Sequence, residues 1–144
     1  MSKIVLDASV LVGHLDQHDS LHARAEELGE RIRANGDVPQ AIDLLVHEAV
    51  SVLCRRARER KQRAPNLPDI LRKVRIWFER GQVAFTQAKL EGLFPEVLDV
   101  IDETGGTLNY NDAALVVLQQ RGHIGDVATF DANLASHPGF RTIA

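Results

Sequence analysis

Near its amino terminus the chain has the sequence Ile4-Val5-Leu6-Asp7-Ala8-Ser9-Val10-Leu11-Val12, an apolar run that a carboxylate interrupts and that then resumes. Three aliphatic residues followed by an acid are typical of a buried strand whose last residue emerges at the edge of a sheet. Open parallel sheets bind their ligands at the carboxyl ends of the strands. We therefore expect Asp7 to lie at a ligand-binding edge, where other acids could join it.

Length and composition indicate one globular domain over residues 1–144. A chain of 144 residues can bury about two-thirds of its unfolded surface, so it needs neither a disulfide nor a structural metal for stability. The content of 44% hydrophobic and 26% charged residues is ordinary for a globular protein. The net charge of -3 excludes no class of partner, because a basic patch can lie on an acidic protein.

The cellular compartment is expected to be the cytoplasm. The single cysteine, Cys54, allows no internal disulfide and suits a reducing environment. Only three apolar residues separate Lys3 from Asp7, so no signal peptide is indicated. No apolar run approaches the roughly 20 residues that a membrane span needs, and we expect no membrane association.

Helical and extended patterns alternate along the chain. Helices are predicted over residues 8–14, 20–33, 43–61, 69–80, 90–103 and 111–122. Further strands are predicted over residues 82–86, 124–130 and 140–143, and residues 38–39 form a short extended piece. Pro65 and Pro68 separate the third helix from the fourth. This alternation predicts an α/β fold: a three-layer α/β/α sandwich with a central, mainly parallel sheet.

Most of the twenty carboxylates occupy patterns typical of solvent-exposed positions. Four do not: Asp7, Glu48, Asp112 and Asp131. Asp7 and Asp131 each end a strand of buried type, although a turn or a helix cap is an alternative for either one. Glu48 lies beside an apolar helical stripe, where burying an unpaired carboxylate costs free energy. A position at a helix boundary is the alternative for this residue. Asp112 could also be a helix cap or a first-turn acid.

Taken together, the four acids predict a metal site. Two strand ends and two helices of an α/β fold can deliver side chains to the same sheet edge, where four carboxylates would repel one another. They need a cation, or raised pKa values, to coexist. An all-oxygen set without Cys or His selects Mg²⁺ or Mn²⁺ over zinc. Such ions hold phosphate oxygens and activate water, so the chemistry indicated is phosphodiester hydrolysis.

Four short motifs carry a resemblance to a known family. They are Val5-Leu6-Asp7-Ala8-Ser9, Val38-Pro39 followed by Leu45-Val46-His47-Glu48, Asn111-Asp112-Ala113-Ala114-Leu115, and Ala128-Thr129-Phe130-Asp131-Ala132-Asn133-Leu134. In this order they resemble the motifs of PIN-domain ribonucleases, and in particular of the small VapC-type toxins. The resemblance covers nearly the whole chain.

This resemblance implies a metal-dependent endonuclease that acts on RNA. The family places acids as metal ligands at the positions of Asp7, Glu48, Asp112 and Asp131 and small hydroxyls near them, here Ser9 and Thr129. Ala8 departs from the hydroxyl that often follows the first acid. The resemblance also implies a homodimer and a small antitoxin protein whose tail enters the acidic cleft.

The function expected from this resemblance is therefore metal-dependent cleavage of RNA by the toxin of a toxin–antitoxin pair. Two alternatives share the same scaffold: a free-standing PIN nuclease of RNA processing, and a non-catalytic module that binds RNA or protein. A metal-dependent phosphatase is a third alternative, but no Asp-x-Asp motif follows the first strand.

Basic residues are concentrated in one segment, since nine of the seventeen lie between Arg55 and Arg75. The segment continues the helix of Glu48, so it could bind the phosphates of RNA. The residues expected to do so are Arg55, Arg56, Arg58 and Lys61. A solvated helix end, or a surface for an acidic protein partner, would have the same composition.

Two other groups of residues are expected to have no catalytic role. His14, His18 and His22 have a spacing that could bind zinc or nickel on one helix, but the stretch from residue 16 to 20 is more typical of a loop. Asp126 is interpreted as a turn residue near the last long strand.

Overall fold

The computed structural model describes residues 1–59 and 64–144. Helices and strands alternate along the chain, as the sequence pattern predicts. The elements are β1 (Lys3–Leu6), α1 (Ala8–Leu15), α2 (His22–Ala34), β2 (Val38–Ile42), α3 (Asp43–Glu59), α4 (Leu67–Glu79), β3 (Val83–Ala84), α5 (Gln87–Glu103), α6 (Tyr110–Gln120), β4 (Val127–Ala128), α7 (Ala132–Ala135) and β5 (Thr142–Ile143).

The five described strands form one sheet in the order β3-β2-β1-β4-β5, and all of their pairings are parallel. β1 is central, and its residue Leu6 pairs with Ala128 of β4. The residues that follow this pair, Asp7 and Thr129, therefore leave the sheet side by side. The register thus brings an acid and a hydroxyl together at the carboxyl edge.

Helices cover both faces of the sheet, because successive residues of β1 point to opposite sides. Val5 packs into the larger core, which includes Leu45 of α3, Val97 of α5 and Leu115 of α6. Ile4 packs on the other face in a second core with residues of α1 and α2. These two cores give the three layers of the predicted α/β/α sandwich.

The structure differs from the sequence prediction at several elements. β2 extends to Ile42, whereas only residues 38–39 were expected to be extended. Pro39 is tolerated within it because β3 pairs only with Ala41 and Ile42, so the position beside Pro39 requires no N–H donor on that side. The strand predicted over residues 124–130 is reduced to Val127–Ala128.

Two helices also differ from their predicted extent. The four-residue helix α7 was not predicted, because one helical turn leaves no apolar period to recognise. The third helix was expected to reach about Lys61, but α3 ends at Glu59 and Lys61 lies outside the described residues. No helix in the described part of the chain is long and apolar enough to cross a membrane.

The close approach between Gly125 and β1 gives a prediction on stability. A Cβ atom at Gly125 would lie 2.8 Å from the carbonyl oxygen of Lys3, which is backbone and cannot move aside freely. Gly125→Ala is expected to lower the free energy of unfolding by about 1–3 kcal/mol, measured by urea denaturation. Gly92→Ala is the matched control: nothing lies within 4 Å of its Cβ position, so this variant should be neutral or stabilising. Equal stability of the two variants would contradict the prediction.

Candidate active site

Asp7 lies at the junction of β1 and α1 and is the most buried of the four predicted acids, with 6% of its surface exposed. The Thr129 hydroxyl donates a hydrogen bond of 2.6 Å to its Oδ2 atom, and the Ser9 hydroxyl lies 3.4 Å from the same oxygen. The side chain of Asp7 does not cap α1. Its carboxylate is therefore held by two hydroxyls instead of serving the helix, which argues against the cap alternative.

Asp131 is connected to Asp7 through Thr129. The Thr129 hydroxyl accepts a 3.0 Å hydrogen bond from the Asp131 amide while it donates to Asp7. The Oδ1 atom of Asp131 accepts from the amides of Asn133 and Leu134, so this acid does cap α7. The helix-cap alternative is therefore correct for the Oδ1 atom of Asp131, while the capping hydrogen bonds do not involve its Oδ2 atom.

Glu48 and Asp112 reach the site from helices on the larger core. Glu48 lies in the interior of α3, and its Oε2 atom accepts a 2.9 Å hydrogen bond from the side-chain amide of Asn111. Asp112 lies in the first turn of α6, where Asn109 accepts from its amide and the two residues form a capping box. The capping box fixes the first turn of α6, which contains Asp112 and Asn111. Because the Asn111 amide binds Glu48, this turn lies against Glu48.

The four acids lie close enough to affect one another electrostatically. Burial raises the pKa of Asp7, and the negative charges of Glu48 and Asp131 act in the same direction, although the Thr129 hydrogen bond opposes them. Burial also raises the pKa of Asp112 to about 6, with further contributions from Asp7, Asp131 and Glu48. The predicted quartet is thus a cluster of mutually repelling carboxylates.

The chemistry of this cluster fits a hard divalent cation. Its donors are carboxylate oxygens, which Mg²⁺ and Mn²⁺ prefer. Burial is the main cause of the raised pKa values of Asp7 and Asp112, and the repulsion among the acids adds to it; a bound cation would offset both effects. Within residues 1–59 and 64–144, however, no three His, Cys, Asp or Glu side chains are arranged as a metal-binding group. If this chain binds such an ion at the sheet edge, the oxygen donors there are those of Asp7, Glu48, Asp112 and Asp131.

The predicted RNA-binding residues separate into three cases. Arg55 and Arg58 line a groove of about 560 Å³ together with Glu48 and Asn111. Arg56 is half-buried, and its guanidinium lies 2.8 Å from both Asp16 and Asp19. Lys61 lies outside the described residues. Arg55 and Arg58 thus share a groove with Glu48, whereas Arg56 joins α3 to the connection between α1 and α2.

The three histidines do not share one helical face. His14 is in α1 and contacts Glu26, while His22 begins α2 and contacts the carbonyl of Gly13. His18 lies in the connection between the two helices, as the loop interpretation expects. Asp126 also has a structural role, since it accepts a 2.9 Å hydrogen bond from Arg141.

The sequence interpretation missed several polar residues. Asn111 was quoted only as part of a motif, although its amide binds Glu48. Asp16 and Asp43 were counted among acids on inexpensive surface positions, which was wrong, since they are 4% and 6% exposed. The partners of these two acids are distant in sequence (Arg56 and Thr86), so no local pattern could reveal them.

The titration of Asp112 gives a second prediction. In metal-free protein, a carboxyl group should titrate near pH 6, and its NMR signal should be missing from Asp112→Asn. Because the folded-state pKa is raised, the stability that Asp112 contributes is present below its ordinary pKa of 3.8 and is lost as the pH rises through about 6. The unfolding free energy of Asp112→Asn should decline less over this interval. Titration of every carboxyl below about pH 5 would contradict the prediction.

Comparison with known proteins gives matches among solved structures. No family model matches the sequence, and no curated protein does either. VapC20 from Mycobacterium tuberculosis, a toxin that cleaves the sarcin-ricin loop, has a TM-score of 0.66 and 21% identity, with 95% of each chain covered. VapBC2 from Rickettsia felis, solved with a DNA fragment from its promoter, has a TM-score of 0.64 and 13% identity, with 98% of this chain and 97% of that chain covered.

A third similar structure is PAE2754 from Pyrobaculum aerophilum, with a TM-score of 0.61 and 18% identity. The match covers 98% of this chain and 83% of that one. At these identities the likeness concerns the fold. The PIN-like fold that the sequence motifs indicated is thereby confirmed.

Proposed function

We propose that this chain, built on a PIN-like fold, is an endoribonuclease that uses Mg²⁺ or Mn²⁺ to hydrolyse RNA phosphodiester bonds. We further propose that it is the toxin of a toxin–antitoxin pair and acts in the cytoplasm. The observation that carries the first proposal is the set of Asp7, Glu48, Asp112 and Asp131: burial, together with the charges of the other three acids, raises the pKa of Asp112 to about 6. Partly buried carboxylates that act on one another in this way suit a site for a divalent cation.

The residues around the cluster would prepare it for this reaction. Thr129 fixes one oxygen of Asp7, and Asn111 fixes one oxygen of Glu48, so both carboxylates are oriented before substrate arrives. A bound divalent ion supplies a Lewis acid for the phosphate and lowers the pKa of a bound water. Arg55 and Arg58 supply positive charge in the adjoining groove, where they would attract the RNA backbone.

Substrate class separates the proposed nuclease from a phosphatase. With Mg²⁺, the purified chain should cut an RNA oligonucleotide internally and leave a small ester such as p-nitrophenyl phosphate intact. Hydrolysis of the small ester without RNA cleavage would contradict the proposal. A chain that binds RNA but neither binds Mn²⁺ nor cleaves would instead be a non-catalytic module.

The role of the groove arginines gives a third prediction. Arg55→Ala and Arg58→Ala should each raise KM for RNA severalfold with little change in kcat, because they remove a phosphate contact. Each should also reduce the slope of log affinity against log salt by somewhat less than one unit. Arg80→Ala, which removes an exposed arginine at the end of α4, is the charge-matched control. An equal effect of all three variants would show only a loss of overall positive charge.

The toxin proposal rests on the similarity to VapC20 and VapBC2 and on the sequence motifs. It includes a small antitoxin protein as partner and a homodimer as the assembled form. Expression of the chain should arrest bacterial growth, and co-expression of a short neighbouring reading frame should restore it. Normal growth during expression of an active nuclease would favour the free-standing nuclease of RNA processing.

A further inference from the structure

A second concave surface lies between α3 and the first turns of α5 and α6. It has a volume of about 480 Å³, within the range of about 300–1,000 Å³ that is usual for small-molecule sites. Phe94 and Tyr110 form one wall, with ring centroids 6.2 Å apart and planes tilted by 42°. We call this surface, whose lining includes Leu44, His47, Gln87, Glu91, Phe94 and Tyr110, the aromatic pocket.

The aromatic pocket adjoins the groove that is lined by Glu48, Asn111, Arg55 and Arg58. Leu44 and His47 line both cavities, and Glu48 follows them directly on α3. On the opposite side, Tyr110 immediately precedes Asn111 and Asp112 at the start of α6. A nucleic-acid strand with one phosphate at the four acids would therefore place a neighbouring nucleotide at the aromatic pocket.

The lining of the pocket combines ring faces with a polar rim. Phe94 is 48% exposed, so its ring is available for stacking. The two rings already contact each other, so a ligand would stack on an outer face and not between them. His47 and Gln87 are exposed and can exchange hydrogen bonds with the edge of a flat ligand. Asp43 and Thr86 at the same surface bond to each other.

These observations point to a nucleobase as the occupant. Bases stack on aromatic side chains and present hydrogen-bonding edges, which matches both parts of the lining. The neighbouring Arg55 and Arg58 match the phosphates of the same strand. Resting on the proposed nuclease function, we propose that the aromatic pocket binds one unstacked base beside the scissile phosphate.

Cleavage kinetics test this proposal with RNA oligonucleotides that are intact or lack one base beside the cleaved bond. Phe94→Leu and Tyr110→Leu should each raise KM for intact RNA by about tenfold, and removal of the base should raise it similarly for the unaltered chain. The variants should lose little more on the abasic RNA, because the same contact is already absent. Tyr110→Phe should keep the stacking and the low KM.

A control and a contrary result complete the kinetic test. Phe78→Leu alters an exposed phenylalanine of α4 that does not line the pocket, and it should not change KM. If Phe94→Leu and Tyr110→Leu weaken cleavage of intact and abasic RNA by the same factor, the pocket does not hold a base. The proposal would then be overturned while the nuclease function remained.

A binding measurement separates the pocket from the chemistry. RNA carrying 2-aminopurine at the same position should lose fluorescence on binding to Asp7→Asn protein, because the base stacks on an aromatic ring. Adding Phe94→Leu to this protein should remove the quenching. If the base is quenched but the unaltered chain does not cleave RNA, the pocket is retained and the nuclease function is rejected. Cleavage by the unaltered chain without quenching here would reject the pocket alone.

Discussion

Asp7→Asn is expected to reduce kcat/KM for RNA cleavage by at least about 100-fold while the protein remains folded. Substituting groups that only orient a metal ligand commonly costs about 10–100-fold, so removing the charge of a proposed ligand should cost no less. Asparagine keeps the shape of the side chain and an oxygen for the Thr129 hydroxyl. The loss would therefore report the missing charge and not a disrupted fold.

The stability of Asp7→Asn checks this interpretation. Burial raises the pKa of Asp7, which means that the fold disfavours its charged form at neutral pH. The neutral variant should consequently melt at or above the temperature of the unaltered, metal-free chain. Asp126→Asn, at an acid held by Arg141, is the matched control and should retain activity. Full activity of Asp7→Asn would remove Asp7 from the site.

The second large effect is expected at Asp43, which joins the start of α3 to the start of α5. Its Oδ1 atom accepts hydrogen bonds from the amide of Thr86 at 3.0 Å and from the Thr86 hydroxyl at 2.7 Å. Both residues are buried, so Asp43→Ala leaves two donors without a partner. Each buried donor left unpaired costs about 1–3 kcal/mol, and we expect a total loss of about 3 kcal/mol in urea denaturation.

Two further variants and the pH dependence test this role of Asp43. Thr86→Val removes the hydroxyl but keeps the amide bond, so it should cost less, while Asp99→Ala at an exposed acid of α5 should change stability by under about 0.5 kcal/mol. Burial alone would raise the pKa of Asp43, but the Thr86 hydrogen bonds lower it below 3.8. Its stabilisation is thus present above pH 3.8 and lost as the pH falls further. An Asp43→Ala protein as stable as the parent would exclude this role.

Local patterns carried enough information for the order of the elements. The acid after β1 marked the sheet edge because a buried strand ends abruptly in a charge at Asp7. Helix α3 was recognised from its apolar stripe, which the structure buries at Leu45, Ala49 and Leu53. Short elements were predicted less well, because the four-residue helix α7 was not expected and β4 covers only Val127–Ala128 of the strand predicted over residues 124–130.

The partners within the site could not be predicted in the same way. Thr129 donates to Asp7 across 122 positions of sequence, and Asn111 donates to Glu48 across 63. Such pairs depend on the register of β1 with β4 and on the packing of α6 against α3. Arg56 illustrates the converse, because a residue of a basic run binds two acids of a distant loop.

Mn²⁺-dependent RNA cleavage, followed with metal occupancy in the same sample, tests the central claim most directly. We expect no cleavage in EDTA, and a rate that rises in proportion to the Mn²⁺ bound, measured by electron paramagnetic resonance. The Asp7→Asn protein should bind Mn²⁺ more weakly and remain inactive at concentrations that saturate the parent chain. Cleavage that persists in EDTA, or saturation with Mn²⁺ without any cleavage, would contradict the assignment of these four carboxylates as a metal-dependent nuclease site.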